Sequence, residues 1–301
     1  MSDTIQDKYK LPVIDGKYFR KLHTMVLTIG FNRAGSSLVG YLLNAHPNIV
    51  VAHEPKARKS LYLLEDIRML LYGILLGDND IYKKVMRRRK LETDGINPAS
   101  QEPRMRVKLG ATRYPHIPNQ WQYHCKRLEV AGIKASYMTS LIFSRGNILE
   151  KFTDIIKKQK MSLKFIFTVR NPYDIITTAT IERIKKHMMH TEENKKILLD
   201  VIKLSEIRAA YNKELLSRIK AQNVFISRHE DTVADPKDQL TKLCHFLKVE
   251  VNEDYLNDCM SVVWKTARQS RHEIDWSEEH KKRVAKLIED HDFFSGYSWS
   301  S

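Results

Sequence analysis

The chain has 301 residues, 42% hydrophobic and 29% charged, which suits a globular fold with room for one large core. Its 51 Lys+Arg against 36 Asp+Glu leave a net charge of +15, which favours anionic partners. No apolar run approaches a bilayer span, and three cysteines without metal-type spacing (Cys125, Cys244, Cys259) argue against a disulfide frame. Residues 1–21 read as an irregular arm with neither a basic start nor an apolar stretch, so a cytoplasmic protein is expected. The rest, 22–301, reads as a single domain.

Met25-Val26-Leu27-Thr28-Ile29 is a short apolar, partly β-branched run and predicts a buried strand. Gly30-Phe31-Asn32-Arg33-Ala34-Gly35-Ser36-Ser37 follows, with its glycines at the spacing of a phosphate-cradling loop and Ser37 at the closing hydroxyl position. Ser36 stands where such loops carry lysine, and a cation, Arg33, lies inside the loop instead. Leu38, Val39, Leu42 and Leu43 then recur at helical spacing until Pro47. Strand, loop and helix in that order aim backbone N–H groups and a helix N-terminus at one spot. A strand-to-helix turn without any ligand is the plainer alternative.

Ile49–Ala52 predicts a second strand, ending in His53-Glu54-Pro55. Residues 58–91 carry Leu, Ile, Met and Tyr at helical spacing and read as a helical insertion over the site. Residues 92–120, with Pro98, Pro103, Pro115 and Pro118, read as loop. Leu128–Lys134 predicts a third strand, followed by an amphipathic helix bearing Ile148, Leu149, Phe152, Ile155 and Ile156. Phe165–Val169 is the clearest buried strand and runs into Arg170-Asn171-Pro172-Tyr173-Asp174. Helical patterns fill 175–190 and 194–221, Asn223–Ile226 predicts a last strand, and Leu240, Leu243, Phe246 and Leu247 mark another helix. Ser277, before Glu278 and Glu279, reads as an N-cap. Strands alternating with helices predict an α/β fold: a parallel β-sheet flanked by helices, with ligands at the carboxyl ends of its strands.

Two anion sites follow from this order. Arg170 offers a planar guanidinium at one strand end, with the hydroxyl of Thr178 eight residues on. An ion pair between Arg170 and Asp174 is the structural alternative. Basic runs such as Arg87-Arg88-Arg89-Lys90 are scattered and not interleaved with aromatics, so nucleic acid is not an expected partner.

Three blocks resemble the sulfotransferases that use 3′-phosphoadenosine 5′-phosphosulfate (PAPS). Gly30–Ser37 with Leu42-Leu43-x-x-His46-Pro47 is similar to their 5′-phosphosulfate loop, and Phe165–Asp174 to their 3′-phosphate motif. His229-Glu230-Asp231 with Asp235-Pro236 and Phe246-Leu247 is similar to the stretch after their last strand. Shorter likenesses lie at Pro118–Gln122 and Gly132-Ile133-Lys134. The resemblance implies a P-loop NTPase-like sulfotransferase fold with a helical insertion, and a sulfuryl donor that needs no metal, which accounts for the missing lysine. It implies that Arg33 and the backbone and hydroxyls of Ala34, Gly35, Ser36 and Ser37 hold the 5′ end, and Arg170 and Thr178 the 3′-phosphate. Arg271 is a further candidate phosphate contact, against a solvated arginine. Adenosine 3′,5′-bisphosphate (PAP) is the implied product.

The acceptor must also lose a proton. Glu54 is the candidate base, with burial expected to raise its pKa; His53 is the rival, and His116 a third choice. Neighbours on a strand face opposite ways, so only one of His53 and Glu54 is expected to point at the acceptor. Lys134, Trp121 and Tyr123 are candidate cleft-lining residues. A small-molecule or carbohydrate acceptor, modified on a hydroxyl or amine, is expected. Oligomeric state stays open. The alternatives are a P-loop kinase or NTPase with a degenerate loop, and a non-catalytic polyanion-binding protein.

Overall fold

The computed structural model describes residues 20–54, 117, 120, 121, 127–187 and 191–301, with backbone alone for 185–187 and 191–195. The expected helical insertion at 58–91, nearly all of the proline-rich stretch, His116, Tyr123 and Cys125 lie outside the described residues.

In chain order the elements are β1 (Thr24–Gly30), α1 (Ser36–Leu43), β2 (Ile49–His53), β3 (Val130–Lys134), α2 (Ser136–Phe143), α3 (Ile148–Lys158) and β4 (Ser162–Val169). They continue with α4 (Pro172–His187), α5 (Thr191–Ser217), β5 (Val224–Arg228), α6 (His229–Ala234), α7 (Pro236–Leu247), α8 (Glu253–Val262) and α9 (Glu278–Glu289). The strands form one parallel sheet in the order β2-β3-β1-β4-β5. Leu27 of β1 stands level with Ile133 of β3 and Phe165 of β4, so all three strands deliver their carboxyl ends to one rim.

Alternation along β1 divides the core into two layers. Met25, Leu27 and Ile29 face a layer with Phe165 and Phe167 of β4, Phe143 of α2 and Phe152 and Ile156 of α3. Val26 faces the other layer, with Leu38, Leu42 and Leu43 of α1, Ile166 of β4 and Leu240, Leu243 and Leu247 of α7. With both faces covered, the central strands are apolar at most positions, the buried Thr28 and Thr168 being satisfied by hydrogen bonds. That is why they read as nearly continuous runs in the sequence.

The α/β class and parallel sheet stand as the strand and helix alternation predicted. Several boundaries differ. β3 begins at Val130, not Leu128, and β4 starts at Ser162, because Ser162–Lys164 still pair with Thr24–Val26 of β1. The helix patterned over 194–221 runs Thr191–Ser217, and a 3-10 turn at Ala221–Asn223 leads into β5. Helices α2 and α8 have no counterpart among the predicted elements. In α2 the buried hydroxyls of Ser136, Thr139 and Ser140 dilute the apolar signal. Two of them bind β1: Gly30 N–H donates to Ser140 Oγ (2.9 Å), and Ser136 Oγ–H to Thr28 Oγ1 (3.0 Å). Ser277 is the N-cap of α9, accepting from His280 N–H (3.2 Å).

Candidate active site

The loop between β1 and α1 crosses the sheet rim where Gly35 is the N-cap of α1. Gly35 has φ 87° and ψ 0°, a left-handed turn, and a Cβ there would lie 2.6 Å from Nδ1 of His229. Gly30, at φ 114°, approaches the β4 backbone so closely that a Cβ would meet Thr168 O at 2.4 Å. The two glycines therefore earn their places by torsion and by space. Among the described residues no side chain caps α1, and its first turn carries no acidic residue, so no carboxylate of the helix itself answers the N–H groups at Ser36 and Ser37. Arg33 also adopts a left-handed conformation (φ 66°), and its guanidinium pairs with Glu182 of α4.

β4 lies beside β1 in the sheet, so Arg170 emerges next to this loop. Its Nη1 donates to Arg33 O (3.4 Å) and its Nη2 to Arg268 O, while Nε is buried without a partner. Burial pulls the Arg170 pKa down from its ordinary value, opposed by the nearby charges of Asp174 and Glu230. Asn171 is fixed on three sides. Its N–H donates to Glu230 Oε1 (3.0 Å), its amide to Ser298 O (2.8 Å), and its Oδ1 accepts from Tyr173 N–H (3.1 Å). Glu230 is held in turn by Tyr297 O–H (2.7 Å). Thr178, two turns into α4, exchanges a hydrogen bond with Ser270 Oγ (3.0 Å).

Arg271 is not the solvated arginine that the sequence left open, because its side chain is only 3% exposed. It pairs with Asp174 (3.1 Å), donates its own N–H to the same carboxylate (2.8 Å), and reaches Ser298 O and Trp299 O at 3.1 and 2.9 Å. The close ion-pair partner of Asp174 is thus Arg271 rather than Arg170. Its Nε alone is buried without a partner.

On the other side of β1, β3 and β2 bring a second group together. His53 and Lys134 are level in the sheet, and Glu54 N–H donates to Lys134 O (2.7 Å). Lys134 Nζ meets Glu54 Oε1 at 2.5 Å, the lysine side chain 7% exposed and the glutamate 60%. The expected burial of Glu54 is therefore not seen: the chain turns left-handed there (φ 42°) and swings the carboxylate outward. His53 faces inward instead. Its Nε2 is buried with no well-formed hydrogen bond among the described residues, and burial, then the Lys134 charge, push its pKa down to about 3. It is neutral at pH 7 and a weak proton acceptor. Glu54 lies one residue beyond the end of β2, so the left-handed turn there, rather than the strand alternation expected, sets the pair apart. Trp121 donates its backbone N–H to Ala45 O (3.2 Å), just beyond α1.

Two features escaped the sequence reading. Glu182 lies four residues beyond Thr178, so helical spacing places both on one face of α4. The Arg268 and Arg33 carbonyls that seat Arg170 carry no sequence signal at all.

Orphaned, buried Arg170 Nε and His229 Nδ1 border a loop rich in backbone donors. Such a place suits a bound anion. Among the described residues, no group of three or more His, Cys, Asp or Glu is arranged to hold a metal ion, and no helix is long and apolar enough to cross a membrane.

The fold and rim together define a P-loop-like α/β protein, with a glycine-bearing loop after β1 and the Arg170 segment after β4. Residues 26–253 match the Sulfotransfer_3 family model, described as the sulfotransferase family, and the chain belongs to that family. Among solved structures it is similar to a sulfotransferase domain from the Synechococcus PCC 7002 olefin synthase, at 19% identity and TM-score 0.48, covering 90% of this chain and 94% of that one. It is also similar to the sulfotransferase domain from the curacin biosynthetic pathway, at 16% identity and TM-score 0.47, covering 90% and 99%. A mouse sulfotransferase complexed with PAP aligns at 10% identity and TM-score 0.47, covering 93% and 86%. No curated protein sequence matches the chain.

Proposed function

We propose that this sulfotransferase moves the sulfuryl group of PAPS to a hydroxyl or amine of a small-molecule or carbohydrate acceptor, releasing PAP. One observation supports the reading most: the β1–α1 loop, with no side-chain cap on α1 among the described residues, stands on the strand next to Arg170, whose buried Nε has no partner among them. A nucleotide charged at both its 5′ and 3′ ends matches that pair. ATP, with a single polyphosphate arm, engages only the first, and Ser36 stands where a kinase needs lysine.

In this reading Arg33 and the N–H groups of Gly35, Ser36 and Ser37 hold the 5′ end. Donors aimed there stabilise charge on the leaving phosphate oxygen as its bond to sulfur breaks and the acceptor's bond to sulfur forms. Arg170 and Thr178 hold the 3′-phosphate and fix the register of the donor. Arg271 sits behind them, keeping Ser270 against Thr178, and so acts by positioning. Glu54 accepts the acceptor's proton, oriented by its ion pair with Lys134. Residues 22–301 act as one domain in this scheme. Cytoplasmic residence belongs to the same proposal, supported by composition alone.

Calorimetric titration with PAP in the presence of EDTA is the direct test, followed by incubation with labelled donor and a panel of phenols, alcohols, amines and sugars. Binding without Mg²⁺, indifference to ATP, and loss of turnover in Glu54→Gln with PAP affinity retained are the expected results. An absence of PAP binding by the folded protein refutes the proposal.

A further inference from the structure

Glu182 has no part in the scheme above, yet it holds the one cation inside the phosphate loop. Its carboxylate pairs with the Arg33 guanidinium from α4, one turn past Thr178 and on the same face. Both partners are partly open to solvent, Arg33 39% and Glu182 35% exposed. The pair can therefore part without uncovering any core. The Arg33 backbone is held separately, because its carbonyl accepts from Arg170. Only the side chain needs to swing. The contrast with Arg271 and Asp174 is instructive: that pair is 3% and 2% exposed, with extra hydrogen bonds to carbonyls, and cannot be exchanged for a ligand.

We infer that Glu182 is a resident counter-anion: it occupies Arg33 in the donor-free protein and gives the guanidinium up to the 5′-anionic end of the nucleotide on binding. This deepens the PAPS reading and rests on it. The exchange has one consequence. Donor and product both compete with the same carboxylate, so Glu182 weakens both and hastens product release.

The test is a double-mutant cycle read by PAP titration at fixed ionic strength: wild type, Glu182→Gln, Arg33→Gln and the double variant, with Glu182→Asp as the conservative control. Glu182→Gln is expected to tighten PAP by roughly two- to fivefold, the factor an exposed ion pair is worth. Glu182→Asp should stay near wild type, and raising the salt should shrink the gap between wild type and Glu182→Gln. In the Arg33→Gln background the glutamine at 182 should change affinity little. Equal affinities in wild type and Glu182→Gln overturn the inference while leaving the donor assignment intact. So does the same tightening with and without Arg33, which would mean simple repulsion. If wild type itself fails to bind PAP, the donor assignment falls and this inference with it.

Discussion

Gly35→Ala is the sharpest test of the loop geometry, because two separable costs meet at one Cβ. The first is torsional. At φ 87° an L-residue leaves its allowed regions, which costs about 1–2 kcal/mol. The second is steric. The new methyl would stand 2.6 Å from Nδ1, 3.2 Å from Cγ and 3.3 Å from Cβ of His229. That ring sits at the start of α6, directly after β5, and β5 is paired to β4, so the backbone beneath it cannot yield cheaply. Overpacking of this kind costs about 1–3 kcal/mol. Together they remove roughly 2–5 kcal/mol from a typical total stability of about 5–15. Adding His229→Ala should relieve the contact and return about 1–3 kcal/mol, while the torsional part remains. Urea unfolding of wild type, the two single variants and the double variant separates the two contributions. PAP titration on the same proteins should show weakened binding in both variants that carry alanine at 35. If Gly35→Ala is within about 0.5 kcal/mol of wild type, the loop does not have this shape and the anion cradle argued from it is lost.

Asp174→Ala should cost about 3–5 kcal/mol in urea unfolding, since it strands the buried Arg271 charge and its N–H. Asp174→Leu combined with Arg271→Met should recover part of the loss, because the uncompensated charge is removed; a cost below about 1 kcal/mol for Asp174→Ala refutes the buried pair. Acid should destabilise the protein earlier than its carboxylates alone require. His53 is pushed down to about 3 and His229 to about 4, both chiefly by burial, so the unfolded chain binds more protons than the folded one below the ordinary value of 6.5. Stability is then full above about pH 6.5 and falls as pH drops towards 4, by up to about 1.4 kcal/mol per pH unit for each histidine. Melting temperatures from pH 8 to 5 should show the fall. His53→Gln should flatten it, and an unchanged slope in that variant removes His53 from the account.

The sheet was legible in the sequence because β1 and β4 are covered on both faces. Burial on two sides favours nearly continuous apolar runs, and Met25–Ile29 and Phe165–Val169, each with a single threonine, announce themselves. Helix α2 was not legible for the opposite reason. Its buried positions at Ser136 and Ser140 are spent on hydrogen bonds to Thr28 and Gly30, so a periodic hydrophobic pattern never forms. The loop glycines could be read from spacing, whereas the hold on Arg170 could not, since it runs through the carbonyls of Arg33 and Arg268 and any residue offers a carbonyl. For Arg271 the sequence offers a phosphate contact or a solvated charge, and its pairing with Asp174 inside the protein rules out the second.

His53 and Glu54 make the same point about adjacent residues. The sequence ranks His53 higher on intrinsic pKa, because imidazole titrates near neutrality and a carboxylate does not. The fold reverses that ranking through one backbone torsion. At φ 42° Glu54 leaves the strand and meets Lys134, while His53 keeps strand alternation and is driven inward, where desolvation and the same Lys134 charge suppress its basicity. One lysine thus orients the carboxylate and disarms the imidazole. Replacing Lys134 with methionine should therefore free His53 to titrate higher while releasing Glu54, so the pH profile of turnover should move even where donor affinity holds. How basic His53 is and where the Glu54 carboxylate points are properties of that triplet rather than of either residue's chemistry.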